Sequence, residues 1–552
     1  VCAALLGTFP FWLPKKEGTK KVLEPVRPQS SPTPRWFWMG MAVITLAGVW
    51  ERHPRMDHSL WNDEEYSLRS YTNGEWVHKG DEGDEVTFKR IPWGKTLFAN
   101  EHGNNHLFTA AASRISLNLW QTFSGAAEEK FSETALRMPS YVSSLVAILV
   151  VGWLGLQLGG PAVGLTAAAL LAISPWHIRY SGESKGYATM IAFMTVHLAA
   201  AIQVARTRRT GWWLVFTLTQ AGYLLCFAGS LYVALCINAM LALECLLQRD
   251  GRRFRELTAF NLVGAVPVMW WMFPTIPQVM AYLTDDKSPR LDMGWPWVRD
   301  LLSGWAIGWG HGNPLPALHY GTSWVQEIAD ASWAWKLLFM GVLPVLGVAG
   351  FAVAWKRKPV AVHLGITAMT LAAALAYTHT AVKHSPMWVW YLIYTVIPMV
   401  LMLPLAIQWL TRCCEKAGMV LMALLVVGLT SATWGSTQRI RLHDRQPTRE
   451  TAAYIRGQSP DALTGTFGVS DRQAESYDPP VHVLETLQDL TELMARAGQE
   501  KRPLYVYLCG ESITSGRHPE MYQRVKHSGE FEEVQYLPGT EEMFSYRVFR
   551  AR

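Results

Sequence analysis

Long apolar runs separated by short charged hinges dominate the chain. Eleven such runs fall at about 36–50, 136–158, 161–178, 186–205, 212–229, 231–248, 257–276, 333–355, 360–380, 387–410 and 417–435. Most approach the ~20 residues a helix needs to cross a ~30 Å hydrocarbon layer. Charges rarely interrupt them, and Glu244 and Lys336 lie near run ends where they can reach the interface. The pattern therefore predicts transmembrane helices. Residues 1–14 are apolar but too short to cross, and are expected to be the tail of a truncated helix or of a signal segment. Residues 15–35 are basic and rich in Pro and Ser, the composition of a linker. After Gly435 the pattern turns polar and mixed. Residues 464–469 and 504–508 predict strands, 483–496 a helix, and 536–549 one or two more strands.

The predicted fold class is thus mostly α: a polytopic transmembrane bundle with a small α/β domain at its C-terminal end. The expected division is 1–35 as terminal segment and linker, 36–435 as membrane domain, and 436–552 as the α/β domain.

Composition agrees with this reading. Half of the 552 residues are hydrophobic and 17% are charged, below the ~25% of soluble domains. The net charge of +6 does not argue for nucleic acid, because the basic residues sit in hinges between apolar runs. Basic hinges follow the fourth run (Arg206, Arg208, Arg209), the sixth (Arg249, Arg252, Arg253, Arg255), the eighth (Lys356, Arg357, Lys358) and the tenth (Arg412, Lys416). Four lysines, Lys15, Lys16, Lys20 and Lys21, precede the first. All fall on one side, which should be the cytosol. The outer side then receives loops 51–135 and 277–332 and everything after Gly435. The seven cysteines show neither metal spacing nor a disulfide framework.

Candidate chemistry concentrates on the outer side. The acidic run Asp63-Glu64-Glu65 lies about a dozen residues past the first apolar run. A carboxylate there can accept a proton from a substrate or hold a metal; it can equally be an ordinary solvated loop. In the same loop, 106–120 predicts an interfacial helix, with Leu107, Phe108, Ala111, Ile115 and Leu119 near helical spacing. Arg179, Lys185, Lys383 and His384 place cations outside, against the positive-inside bias. An anionic lipid phosphate is one reason to hold cations there, and snorkelling or pairing with Glu183 is another. His53, His58, His102, His106, His311 and His319 are outer histidines, but they form no recognisable ligand spacing.

Four segments together carry a resemblance. They are Asp63-Glu64, Asn105-His106-Leu107, Arg137-Met138-Pro139 and the turn Ser174-Pro175…Tyr180-Ser181-Gly182-Glu183-Ser184-Lys185-Gly186-Tyr187. In order and spacing the chain resembles the GT-C glycosyltransferases, in particular the bacterial relatives of protein O-mannosyltransferases and the lipid A aminoarabinose transferase. The stretch Thr448-Arg449-Glu450-Thr451 resembles the start of that family's outer C-terminal domain.

The resemblance implies a transferase in a bacterial cytoplasmic membrane, taking a sugar from a polyprenyl-phosphate carrier at the outer face. The acceptor would be a glycan, a lipid or a protein. It implies Asp63 as general base in an inverting attack, and Glu64 as the group that orients the acceptor or holds a divalent metal. Lys185, Arg179, Lys383 and His384 would face the donor phosphate. Asn105, His106, Glu183 and Tyr187 would contact substrate. Two positions depart from the family pattern: Lys185 stands where Arg is usual, and Trp390-Tyr391 where an Arg-Tyr pair is common. A transporter would instead call for ionisable residues near mid-membrane or paired broken helices. A non-catalytic scaffold with a partner-binding outer domain is a third possibility.

Overall fold

The computed structural model describes residues 33–78, 85–101, 103–207, 209–284, 293–308, 345–350, 352, 363–383, 387–469 and 471–552. Among these, six helices are long and apolar enough to cross a membrane: Glu133–Gly159, Gly186–Thr207, Ala228–Leu247, Gly251–Tyr282, Val389–Leu410 and Glu415–Leu442. The protein is a membrane protein built mostly of helix.

The other expected runs differ in instructive ways. Thr210–Cys226 and Ala368–Lys383 are helices of 17 and 16 residues, shorter than a comfortable span. Arg35–Arg52 is long enough but carries Arg35, Glu51 and Arg52. Most of 333–355 lies outside the described residues. The last helix runs on to Leu442, seven residues beyond the end the hydropathy suggests. The run expected at 161–178 is two helices, Pro161–Ile173 and Pro175–Ser181, bent by 61°.

That bend has a clear origin. Pro175 offers no N–H to the preceding turn, and Ser174 caps the new helix by accepting from the His177 N–H at 3.4 Å. The carbonyls freed at the break are taken by Arg52, which donates to Ala172 O at 2.9 Å and Leu171 O at 3.3 Å.

Small residues let the helices approach closely. A Cβ added to Gly155 would meet the Gly164 Cα at 2.8 Å, and one added to Gly164 would meet Gly152 O at 2.6 Å. Backbones in contact maximise packing where lipid supplies no hydrophobic drive. At the hinge end, Gln408 donates to Gly159 O at 2.6 Å, Arg206 to Gln157 at 3.2 Å, and Arg253 to Ala205 O at 2.7 Å. Four hinge regions are thus tied together at one end of the bundle.

The opposite end carries the mixed elements. A short antiparallel hairpin pairs β1 (Gly74–His78) with β2 (Val86–Arg90). The helix Leu107–Ser124 follows, close to its expected position. Its two faces meet different surroundings. Ser113, Arg114 and Gln121 are buried against protein, while Ile115, Leu119 and Phe123 are exposed. Arg114 donates to Ile91 O at 2.7 Å and lies over Trp93 at 4.3 Å, so the polar face has protein partners. An apolar face turned outward suits a helix lying in a lipid interface.

Five strands form a second sheet: β3 (Leu463–Gly468), β4 (His482–Val483), β5 (Leu504–Cys509), β6 (Phe531–Leu537) and β7 (Tyr546–Ala551). Their order is β4-β3-β5-β7-β6. β3 runs parallel to β4 and β5, and β7 antiparallel to β5 and β6. β3 and β5 are buried along their whole length, and β5 accordingly reads as an apolar run rather than an alternating one. The helix expected from 483 begins at Leu487, because Thr486 and Asp489 form a capping box. His482 and Val483 instead pair with β3.

Candidate functional site

The acidic run forms the first turns of the helix Asn62–Ser67, and its three carboxylates part company there. Glu64 is buried and held as a fork by Arg137, with Nε–Oε1 at 2.9 Å and Nη2–Oε2 at 2.6 Å. It also accepts from the Ser184 backbone N–H at 2.6 Å. Burial pushes the Glu64 carboxyl up, but the charge and hydrogen bonds of Arg137 and the Ser184 N–H hold it below the usual range. Glu65 is buried too, accepting from Ser476 at 2.8 Å and Arg69 at 3.3 Å. Asp63 is half-buried, and its carboxylate accepts no hydrogen bond among the described residues. Its charge acts on Lys185, Tyr187, Tyr391, Tyr282 and Arg445.

Lys185 follows the short helix Pro175–Ser181 and immediately precedes Gly186–Thr207. It is 1% exposed. Its Nζ donates to Ser67 Oγ at 2.9 Å and Asn104 Oδ1 at 3.0 Å. An ammonium has three donors, so one is left for a further acceptor. Burial lowers the Lys185 pKa, and the charges of Asp63, Glu64 and Glu183 oppose the fall. The structure therefore brings Asp63 and Lys185 into one electrostatic site.

His106 and Tyr187 stand beside it. Their rings lie 5.0 Å apart, edge to face, and Tyr187 stacks at 6.4 Å on Tyr391. His106 Nδ1 meets Cys226 O at 2.6 Å. Burial, then the nearby Lys185 charge, pushes its imidazole down to about 3, so it is neutral at pH 7. Asn105 serves the loop instead, donating to Ala99 O at 2.7 Å and Thr96 O at 3.1 Å.

Glu183 and Arg179 belong to a second, adjacent cluster. Glu183 Oε1 lies 3.4 Å from Arg445, 3.7 Å from Arg179 and 3.8 Å from Arg55. Arg179 and Arg445 both donate to Glu541 Oε1 at 2.9 Å, and Arg179 also to Gly308 O at 3.1 Å. Burial raises the Glu183 carboxyl, against the pull of Arg445 and Arg179. The guanidinium of Arg179 is thus engaged by protein. Lys383 ends the helix Ala368–Lys383 and is exposed. His384, His102, His311 and His319 lie outside the described residues.

Among the described residues no group of three His, Cys, Asp or Glu is placed to hold a metal. The carboxylates nearest Asp63 in sequence, Glu64 and Glu65, are both committed to protein partners. Among the described residues this donor set does not fit a divalent cation held by the protein alone.

Sequence reasoning missed Arg55, Arg445 and Glu541. They sit in no motif, and 96 positions separate Arg445 from Glu541. A cation in a stretch that follows an apolar run, on the side where cations are rare, was the available signal for Arg55 and Arg445.

The chain as a whole can be set beside known proteins. No protein-family model matches it, and no curated protein does. Solved structures do. ArnT from Cupriavidus metallidurans in the apo state has a TM-score of 0.51 at 13% identity, covering 93% of this chain and 97% of that one. The same protein bound to undecaprenyl phosphate gives 0.48 at 12% identity, covering 93% and 98%. The Archaeoglobus fulgidus oligosaccharyltransferase in the apo form gives 0.48 at 13%, covering 92% of this chain and 74% of its own. By the first of these, the fold is the GT-C fold. Its particular likeness to apo ArnT, at 13% identity, is one of fold.

Proposed function

We propose that this protein is a membrane glycosyltransferase that moves a sugar from a polyprenyl-phosphate carrier to an acceptor hydroxyl. The observation that carries this reading is the division of labour within the acidic run. Glu64 and Glu65 are consumed by protein partners, while Asp63 keeps an uncommitted carboxylate within the field of a buried lysine. A base needs a free lone pair, and a leaving phosphate needs a cation.

The acceptor hydroxyl gives its proton to the Asp63 carboxylate. Its oxygen forms a bond to the anomeric carbon from the face opposite the phosphate. The bond from that carbon to the phosphate oxygen breaks, and its electron pair leaves with the polyprenyl phosphate. Lys185, with its third donor, meets the charge that builds there. Lys383, exposed at the end of its helix, would add attraction for the phosphate from farther out. Glu64 acts as a strut: it joins Arg137 to the Ser184 N–H, and so fixes the turn that presents Lys185. His106 and Tyr187 form an aromatic wall against which a sugar ring can stack.

The basic hinges support an outer-face site in the cytoplasmic membrane, with the C-terminal sheet outside. The acceptor belongs to the class of lipids, glycans or proteins that expose a hydroxyl there.

Purified protein in vesicles, supplied with a radiolabelled polyprenyl phosphosugar and envelope lipid extract, tests the reading. Asp63→Asn should lower transfer about 10²–10⁴-fold while donor binding changes little. Transfer near the unmodified rate in that variant would overturn the assignment of Asp63 as base.

A further inference from the structure

In an open sheet with parallel strands, ligands settle beyond the carboxyl ends of two neighbouring strands whose connections leave in opposite directions. Here those strands are β3 and β5. The chain leaves β3 towards β4 on one side and leaves β5 towards β6 on the other. Their carboxyl ends, Gly468 and Cys509, are paired in register. The ligand-binding end of this sheet should therefore lie beside Cys509.

That place is taken by the loop that carries Asp63. Trp61 is buried in one cluster with Cys509, Ile513, Met543, Phe544 and Tyr546. Arg445 covers its other side, 3.3 Å from the ring centroid. The backbone on each side of Trp61 is then bound group by group. Ser59 N donates to Asp444 Oδ1 at 2.7 Å, and Leu60 N to Tyr477 OH at 2.8 Å. Leu60 O accepts from Gln473 at 2.6 Å. Asn62 N, one residue before Asp63, donates to Gln446 Oε1 at 2.9 Å. Gln446 in turn donates to Tyr546 OH at 3.1 Å, and is fully buried.

We infer that the C-terminal sheet holds the Asp63 loop in the place where such sheets usually hold a ligand, and that Gln446 is a positioning residue for the proposed base. This deepens the proposed function and rests on it. The Asn62 N–H is one of the N-terminal groups of the helix Asn62–Ser67 that no helical carbonyl can satisfy. Gln446 satisfies it, and so sets where that helix starts and where Asp63 points. Gln446 does not itself meet the substrate; it acts through the backbone.

The test is a double-mutant cycle on the full-length protein in vesicles, with the same radiolabelled polyprenyl phosphosugar. Gln446→Met keeps volume and removes its three side-chain hydrogen bonds, to Asn62 N, Tyr546 OH and Cys509 Sγ. It should lower kcat roughly 10- to 100-fold, the range a misplacement near 1 Å produces, with donor KM changed less than about threefold. In an Asp63→Asn background the same substitution should cost almost nothing further, because the group it positions no longer works. Amide exchange of peptides covering 59–65 should rise in Gln446→Met and stay as in the parent elsewhere in the sheet. Gln473→Met, at the other end of the clasp, should repeat the pattern. Equal losses in both backgrounds, or unchanged exchange at 59–65, would overturn the clasp. Unmodified transfer in Asp63→Asn alone would overturn the base instead, so the two failures are distinguishable.

Discussion

Glu183 and Lys185 are two residues apart in one turn, yet they belong to opposite kinds of site. Glu183 is surrounded: Arg55, Arg179 and Arg445 converge on one of its oxygens, and Glu541 shares two of those arginines. Lys185 is equally buried but has only neutral oxygens in its hydrogen bonds, with the Asp63 charge nearby. Asp63 and Glu64 repeat the contrast side by side. In each pair one charge is spent on architecture and the other keeps part of its hydrogen-bonding capacity free. Burial alone therefore does not mark a functional charge. On the proposed function, what marks it is a partner set left unsaturated.

The first way to test this comparison is to strip a partner from the saturated cluster. Arg445→Met leaves two buried carboxylates with less compensation, and breaking such a pair costs about 3–5 kcal/mol. The thermal midpoint in detergent should fall sharply, more than for any exposed arginine. Adding Glu183→Gln should recover part of the loss, because the uncompensated charge goes with it. A variant that melts like its parent would place Glu183 and Glu541 among chemically active groups and erase the contrast.

A smaller effect separates the cations. Lys185→Ala should weaken donor binding and also slow transfer, by ~10²-fold or more if it meets the leaving phosphate. Lys383→Ala should change donor affinity less, since an exposed ammonium attracts through a high dielectric. Titration of the vesicle-bound protein with the polyprenyl phosphosugar measures both. Comparable losses in the two variants would mean that the phosphate sits nearer the end of the helix Ala368–Lys383 than the Lys185 turn.

Much of this organisation was legible in the sequence, and the parts that were not share a cause. Apolar runs located the helices Glu133–Gly159, Gly186–Thr207 and Val389–Leu410 within a few residues. Strands β3 and β5 fell close to the expected 464–469 and 504–508. The pattern also brought Asp63 and Lys185 onto one side. It could not tell what lay beyond each apolar face. For the helix Leu107–Ser124 the polar face met protein, and the apolar face stayed exposed. Nor could it pair Glu64 with Arg137, 73 positions away, or Glu183 with Arg445, 262 away. Local signals bear on two breaks: Ser174-Pro175, a cap followed by a residue with no N–H, was seen as a turn although the apolar run was carried past it to 178, and Thr486-x-x-Asp489, a capping box, was unread.

Glu65 sits between the two kinds of charge and gives the finest test. It has partners, Ser476 and Arg69, but too few to offset its burial. Burial pushes its carboxyl from 4.5 up to about 7, against the Arg69 charge and the Ser476 hydrogen bond. The folded protein then holds a proton that the unfolded chain gives up near pH 4.5. The stability this contributes is complete below pH 4.5 and is lost as the pH rises through about 7. A shift of that size corresponds to roughly 3 kcal/mol at most. The thermal midpoint should therefore fall between pH 5 and pH 8. Glu65→Gln keeps an oxygen for Ser476 and has no proton to lose, so its midpoint should vary less over the same range and exceed the parent's at pH 8. A slope that survives the substitution would assign the pH dependence to another group, and would return Glu65 to the saturated class beside Glu64.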